Sequence, residues 1–218
     1  NKWKKSVYET YKENEVSIKW TSELQKECKK NKIEYFTAPY DVNVINYLNK
    51  FVKVWKVGSG DITYLDNILK MAKTQKPILI ATGASNQKEI DIIINKVKRI
   101  NNNIVIMQCN TNYTAEKENF NYINLNVLKT FKKKYPFAIL GLSDHTLGHE
   151  TVLGAVALGA RVIEKHFTDS NKKIGPDHKF SMNPKTWRSM VNAVRNLEKA
   201  LGNESKFVEK NEKTTIQL

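Results

Sequence analysis

The feature that most constrains this chain is a regular alternation of short apolar runs with longer amphipathic stretches. The short runs are rich in β-branched residues and apolar on both faces, which is typical of parallel strands covered on both sides. The longer stretches carry apolar residues at helical spacing, as in the stripe of Ile90, Ile93 and Val97. The predicted strands are Ile33–Thr37, Val54–Ser59, Pro77–Thr82, Ile104–Cys109, Ala138–Ser143 and Arg161–Phe167. The predicted helices between them are Val42–Phe51, Tyr64–Thr74, Gln87–Ile100, Leu125–Tyr135 and His149–Leu158.

Six strands that alternate with helices predict an α/β protein with a parallel sheet. Two architectures fit this pattern: an open doubly wound sheet, or a (β/α)8 TIM-type barrel that is incomplete in this chain. A complete barrel usually needs about 250 residues, and the chain has 218. On the second interpretation, residues 1–202 form a partial catalytic barrel of about six strand–helix units. The polar tail 203–218 is then a linker.

Helical signals also lie outside these repeats. Two helices are predicted before the first strand, at Val7–Asn14 and Thr21–Lys30, and a long one closes the barrel at Lys185–Leu201. Asn86 is a predicted helix cap, because its side chain can accept hydrogen bonds from the first turn that follows it. Asn183 or Pro184 is expected to begin the closing helix and Gly202 to end it.

The charge of the chain is strongly basic, with a formal net charge of +14. The lysines are scattered through every segment, and the densest run, 132–134, falls at the end of a predicted helix, where it favours the helix dipole. This pattern favours a solvated surface over a polyanion-binding face. No apolar run reaches the roughly 18–20 residues of a membrane span. The start has no apolar stretch typical of a secretory signal, and Cys28 and Cys109 indicate reduced thiols, so we expect a cytoplasmic protein.

Polar residues gather where the predicted strands end, which is where function collects in parallel α/β proteins. His145 and His166 end two consecutive strands. Adjacent parallel strands lie about 4.8 Å apart, so the two imidazoles can reach one cation. Two histidines leave coordination positions open for water and substrate, as in a catalytic metal site. The alternative is that each ring is hydrogen-bonded structurally; the pair, in this context, favours the metal.

A second set of polar residues suggests an anion site. Alternation along the strand points Lys56 inward, where a buried ammonium needs an anionic partner, and Ser59 and Ser143 can help to hold a phosphate. A snorkelling lysine at the edge is the alternative for Lys56. Lys165 alternates with His166, so it is expected to face the helices or to pair with an acid. Asp177, in a tight loop after the last strand, can accept sugar hydroxyls.

Seven stretches occur together in one order and spacing, and through them the chain resembles the sialic acid synthase family, which includes N-acetylneuraminate, legionaminate and pseudaminate synthases. The resemblance covers nearly the whole chain. The stretches are 35–41 (YFTAPYD), 56–61 (KVGSGD), 81–83 (ATG), 141–146 (GLSDHT), 154–160 (GAVALGA), 163–168 (IEKHFT) and 175–178 (GPDH).

The resemblance implies a barrel that condenses phosphoenolpyruvate with the aldehyde of an N-acetylated hexosamine and with water, and releases phosphate. It implies that His145 and His166 hold a divalent ion, most simply Mn²⁺, with Mg²⁺ or Co²⁺ as alternatives, and that this ion polarises the aldehyde. By the same resemblance, phosphoenolpyruvate is bound by Lys56, Ser59 and Ser143, with Asp61 as an acidic residue beside them, and Thr111 belongs to the same substrate site. Tyr113 and Asp177 match sugar-contacting positions. The full-length protein is expected to be a homodimer.

The sequence also departs from the family pattern. Ala38, Ala81 and Thr111 stand where relatives commonly carry Thr, Ser, and Asn or Ser. The family's first two strands, which bring a catalytic Glu and a phosphate-binding Lys, and its C-terminal antifreeze-like domain are expected to be missing. We therefore expect this chain alone to bind metal but to turn over poorly. Two other functions stay open: a Schiff-base aldolase using Lys56 or Lys165, and a basic nucleic-acid-binding protein, for which no known motif is present.

Overall fold

The computed structural model describes residues 6–13 and 15–216. Asn14, at the end of the first predicted helix, and Gln217 and Leu218, at the end of the predicted linker, lie outside the described residues, as do residues 1–5. The strands are β1 (Trp55–Val57), β2 (Ile78–Ala81), β3 (Ile104–Cys109), β4 (Ile139–Asp144) and β5 (Val162–Lys165). The α-helices are α1 (Val7–Glu13), α2 (Thr21–Lys30), α3 (Ile45–Leu48), α4 (Leu65–Ala72), α5 (Gln87–Lys98), α6 (Val127–Lys134), α7 (Glu150–Ala157) and α8 (Pro184–Leu201). Short 3₁₀ helices cover Ile18–Trp20, Val42–Val44, Lys117–Tyr122 and Lys210–Glu212.

The strand order decides between the two predicted architectures. All five strands are parallel and lie in the order β1-β2-β3-β4-β5, so each pairs with the next one along the chain. Because strand–helix–strand crossovers have one hand, a sequential order keeps the crossover helices on one face of the sheet. A doubly wound sheet needs a reversal of strand order to put helices on both faces. The chain is therefore an incomplete (β/α) barrel.

Alternation along the strands divides the apolar side chains into two sets. The outward set, including Trp55, Ile80 and Ile106, packs with the helices in one large core. The inward set is much smaller and centres on Leu79, Val105 and Met107. A wide outer core and a narrow inner one are what a sheet curled around its inner face produces, because the inner side chains converge.

The first predicted strand is wrong. Ile33–Thr37 forms no strand, and only an isolated parallel bridge joins Thr37 to Trp55. The reason is incomplete burial: Ile33 is 63% exposed and Phe36 is 43% exposed, and only Tyr35 of the large apolar side chains in this run packs against the outer core. The described residues thus hold five strands where six were predicted.

The predicted helices and helix caps are confirmed, except that one predicted helix is divided into two short ones. Asn86 accepts from the backbone N–H groups of Lys88 and Glu89 in a capping box, and Asn183 caps α8 in the same way. The predicted helix Val42–Phe51 is instead a 3₁₀ turn followed by the short α3. α8 ends before Gly202, and residues 203–216 are exposed, so their assignment as a linker stays a prediction. Within the described ranges, no helix is both long and apolar enough to span a bilayer.

Candidate active site

The two predicted metal-binding histidines lie side by side. His145 follows β4 directly and His166 follows β5, and their ring centroids are 5.2 Å apart. His145 Nδ1 lies 2.9 Å from the carbonyl oxygen of Asn110. Since a carbonyl only accepts, Nδ1 carries the proton and the Nε2 lone pair is left for a ligand. His166 Nδ1 lies 3.2 Å from a carboxylate oxygen of Asp177, which favours the same tautomer.

This arrangement fits a divalent ion. Metal-bound imidazoles usually donate their second ring N–H to a carbonyl or carboxylate, and both rings here have such a partner. Burial lowers the pKa of His145, which keeps the ring neutral and able to coordinate near neutral pH. Over residues 6–13 and 15–216, no group of three or more His, Cys, Asp or Glu side chains is placed to hold a metal. The described chain therefore offers two imidazole ligands, with the remaining positions open.

Two aromatic rings frame the histidines. The Tyr113 ring centroid lies 4.4 Å from that of His145 and 5.5 Å from that of His166. Phe180, from the loop before α8, packs 5.1 Å from His166 on another side. The Tyr113 hydroxyl lies 3.1 Å from Ser59 Oγ, so Tyr113 contacts both the imidazoles and the loop that follows β1. Phe180 was not a sequence-predicted site residue, because nothing in its local sequence shows where its loop returns.

Lys56 points into the barrel as predicted and is 5% exposed. Its ammonium donates to the carbonyl of Val57 at 2.6 Å and lies 3.3 Å from a carboxylate oxygen of Glu164. Lys56 is on β1 and Glu164 is on β5, at the two edges of the sheet, so this ion pair spans the interior of the curled sheet. Glu164 was not predicted to be a site residue, since its role depends on that curvature.

The predicted phosphate-binding hydroxyls surround Cys109. Its thiol lies 3.9 Å from Thr111 Oγ1. Burial raises the pKa of the thiol, and the neighbouring hydroxyls of Ser143, Ser59 and Thr111 partly offset this rise. Cys109 Sγ also lies 4.0 Å from His145 Nδ1. A Cβ added to Gly83 would lie 1.8 Å from Thr111 Oγ1, which explains why glycine stands there. A cleft of about 490 Å³ opens beside Cys109 and Thr111, between the ends of β2 and β3.

The two predicted acidic residues, Asp61 and Asp177, have different neighbours in the site. Burial raises the pKa of the Asp61 carboxyl, and the nearby Lys56 charge partly offsets this. Asp177 lies against His166. The structure thus brings the sequence-predicted site residues to one end of the barrel: His145, His166, Lys56, Asp61, Ser59, Thr111, Tyr113, Ser143 and Asp177.

The remaining lysine and histidines have other partners. Lys165 faces the helices and pairs with Asp144 at 2.6 Å, as the alternation with His166 predicted. His149 precedes α7 as its N-cap residue, and His178 lies in the loop after β5 with Nδ1 2.8 Å from Thr168 Oγ1. Neither of these two rings joins the paired imidazoles.

A (β/α) barrel whose polar side chains meet at the carboxyl ends of its strands defines the class of TIM-type barrel proteins. Comparison with known proteins narrows this class. The NeuB family profile matches residues 1–206. The N,N'-diacetyllegionaminic acid synthase of Campylobacter jejuni is 36% identical over 208 residues, which cover 94% of this chain and 61% of that protein. The human N-acetylneuraminate-9-phosphate synthase is 31% identical over 205 residues, covering 94% of this chain and 56% of that protein.

Comparison with a solved structure gives the same family. The crystal structure of N-acetylneuraminic acid (sialic acid) synthetase from Leptospira borgpetersenii, in complex with citrate, aligns with a TM-score of 0.86 and 27% identity, over 96% of this chain and 72% of that one. The chain belongs to the NeuB family. It spans about three fifths of the length of the curated relatives that it matches.

Proposed function

We propose that this chain supplies most of the catalytic barrel of a nonulosonic acid synthase. The reaction joins C3 of phosphoenolpyruvate to the aldehyde carbon of an open-chain N-acetylated hexosamine. Water adds at C2, and phosphate leaves by C–O cleavage. The observation that carries this proposal is the pairing of His145 and His166, 5.2 Å apart between ring centroids, at the rim of a barrel that also buries Lys56.

The two imidazoles would hold the divalent ion through Nε2, with Mn²⁺ as the first choice and Mg²⁺ or Co²⁺ as alternatives. When bound, such an ion acts as a Lewis acid that polarises a carbonyl oxygen. Asn110 O and the Asp177 carboxylate orient the rings by accepting from Nδ1.

The anionic substrate would lie against Lys56. Lys56 is 5% exposed, and the Glu164 side chain is 39% exposed and contacts the ammonium only at 3.3 Å, so an incoming phosphate or carboxylate can take the place of Glu164. Ser59, Thr111 and Ser143 present hydroxyls around Cys109 on the same side. Asp61, with its pKa raised by burial and its place near Lys56, is suited to carry a proton next to the anion.

The amino sugar would lie between Tyr113, whose ring packs against His145, and Asp177, whose carboxylate lies against His166. Homodimerisation of the full-length protein and a cytoplasmic setting belong to the same proposal. The cytoplasmic setting is supported by Cys28 and Cys109, which are both free thiols.

The Schiff-base aldolase is disfavoured by the lysine contacts. Lys165 is buried in an ion pair with Asp144 on the side away from the pocket. The Lys56 amine is already engaged, since it donates to the carbonyl of Val57 and pairs with Glu164, whereas a Schiff-base lysine must present its amine to a substrate carbonyl carbon. Borohydride in the presence of pyruvate or sugar would trap an adduct in an aldolase and none in the proposed synthase.

The deciding experiment measures phosphate release from phosphoenolpyruvate by the full-length protein, with a panel of N-acetylated hexosamines and divalent metals. His145→Ala should lower the rate by at least about 100-fold, because loss of a ligand should cost no less than loss of its supporting partner. His149→Ala, a histidine outside the site, is the matched control and should keep the parent rate. Parent-like turnover by His145→Ala would refute the proposal.

A further inference from the structure

A buried ion pair lies directly behind the two imidazoles. Asp144 and Lys165 are register partners on β4 and β5, and each immediately precedes one of the histidines. Because side chains alternate along a strand, the pair points toward the helix layer while the imidazoles point into the barrel. The Lys165 ammonium lies 2.6 Å from Asp144 Oδ2, and the two side chains are 1% and 0% exposed.

Every polar group of this cluster has a partner. Asp144 Oδ2 also accepts from Thr151 Oγ1 of α7 at 2.7 Å, and the carboxylate accepts from the Thr146 hydroxyl at 3.0 Å. The Thr146 backbone is held on both sides: its N–H donates to Asp144 Oδ1 at 3.1 Å, and its carbonyl accepts from Lys165 Nζ at 2.8 Å. The residue that follows His145 is thus clamped to the strand that carries His166.

A buried ion pair is a poor device for stability alone, since desolvation offsets the attraction and apolar replacements are often as stable. This cluster does something that an apolar pair cannot do, because it ties the backbone of one strand end to a side chain of the next. We infer that Asp144 and Lys165 are positioning residues that set the spacing of His145 and His166 for a shared divalent ion. The inference rests on the proposed function, because that function requires the ion.

The test uses the double variant Asp144→Asn/Lys165→Met in the full chain, with Mn²⁺ affinity measured by isothermal titration calorimetry and the melting temperature recorded without metal. The variant keeps an acceptor oxygen for the Thr146 N–H and places an amide NH₂ that can donate to Thr151 Oγ1, but it removes both charges and the clamp from Lys165. We expect Mn²⁺ affinity to fall by about 10- to 100-fold, as for partners that orient metal ligands, with a melting temperature close to that of the parent. A purely structural pair would lower the melting temperature and leave the affinity unchanged.

Two further variants make the result decisive. Asp91→Asn/Lys134→Met removes a partly exposed ion pair on the outer helices and should bind Mn²⁺ like the parent. Thr151→Val removes one hydroxyl donor to Asp144 at nearly constant volume and should weaken Mn²⁺ binding several-fold, which keeps the test valid if the double variant does not fold.

The outcomes separate the two claims. If the parent binds Mn²⁺ and His145→Ala does not, but the charge-free variant or Thr151→Val binds within twofold of the parent, the positioning role is overturned and the proposed function stands. A parent that binds no Mn²⁺ overturns the proposed function and this inference with it.

Discussion

Glu164 and Lys165 are neighbours on β5 and face opposite sides of the sheet, and their ion pairs differ in every respect. Lys165 and Asp144 are both fully buried, 2.6 Å apart, with all their polar atoms paired. Glu164 and Lys56 are 3.3 Å apart, one side chain is 39% exposed and the other 6%, and Glu164 Oε2 is a buried atom without a hydrogen bond. The Asp144–Lys165 pair therefore has all its hydrogen-bonding atoms satisfied, whereas the Lys56–Glu164 pair leaves one carboxylate oxygen without a hydrogen bond.

This difference in hydrogen bonding suggests different roles for the two ion pairs. A saturated pair gives up most of its attraction to desolvation and keeps its value as a geometric constraint. An unsaturated pair leaves an ammonium that can gain from a new anion, because that anion replaces a long, poorly aligned contact. Under the proposed function and the inference above, the two faces of β5 have different roles: the outer face positions the strand ends, and the inner face binds the anionic substrate.

The largest effect is expected on the outer face. Asp144→Ala leaves the Lys165 ammonium buried without its anionic partner, with only the Thr146 carbonyl to accept from it, and we expect the free energy of unfolding to fall by about 3–5 kcal/mol. Urea denaturation monitored by circular dichroism measures this. Combining Asp144→Ala with Lys165→Met should recover much of the loss, because no charge is then stranded. A loss below about 1 kcal/mol in the single variant would show that the pair is not sealed from water.

On the inner face, Lys56→Met should leave stability nearly unchanged, because the Glu164 side chain is 39% exposed and can turn the oxygen freed from Lys56 toward water. Phosphoenolpyruvate affinity should instead fall by about 10- to 100-fold, which corresponds to one lost charge-assisted interaction. Isothermal titration calorimetry measures the affinity. Lys53→Met is the matched control, since Lys53 is an exposed lysine close in sequence that pairs with Glu34. If both variants bind phosphoenolpyruvate equally well, Lys56 is not the anion anchor.

A smaller effect with the opposite sign is expected for Glu164→Gln. The Glu164 charge competes with an incoming anion for Lys56, so its removal should tighten the binding of inorganic phosphate by about fivefold, the size of one solvent-screened charge contact. Phosphate titrations of the parent and the variant measure it. Weaker phosphate binding in Glu164→Gln would mean that Glu164 orients Lys56 and does not compete for it.

The smallest effect concerns a third cluster, on the outer helices, where Asp91 accepts from Lys134 and Tyr135. The hydrogen bond from Lys134, followed by that from Tyr135, lowers the pKa of Asp91. The pKa is depressed in the folded state, so the stabilisation is present above the unfolded pKa of about 3.9 and is lost as the pH falls through the lower folded value. Asp91→Asn should therefore cost about 1 kcal/mol at pH 7, and the cost should shrink as the pH falls below about 3.9 and the carboxylate becomes protonated.

Urea denaturation at several pH values follows this difference, and Asp66→Asn, an exposed carboxylate on α4, is the matched control. A stability difference for Asp91→Asn that stays constant down to pH 2 would contradict an origin in the charge of Asp91.

The fold was predictable wherever local chemistry decides it. The parallel strands are mostly apolar because both of their faces are covered, and the capping asparagines Asn86 and Asn183 carry their hydrogen-bonding partners within three residues. The same local reasoning failed for Ile33–Thr37, whose composition suits a strand but whose Ile33 and Phe36 side chains stay exposed. Strand formation depends on a neighbour, and a sequence pattern does not contain the neighbour.

The sequence by itself determined which side chains reach the rim of the barrel: the ends of successive strands fix His145, His166, Lys56 and Ser143, and alternation fixes that Lys165 turns away. Only the tertiary structure decided what these residues meet. Curvature of the sheet brings Glu164 from one edge to Lys56 at the other, and loop return places Asp177 and Phe180 against His166. The physical reason is the distance along the chain over which each interaction acts. Strand alternation and helix capping depend on a few neighbouring residues, whereas the curvature of the sheet depends on the packing of all its strands together.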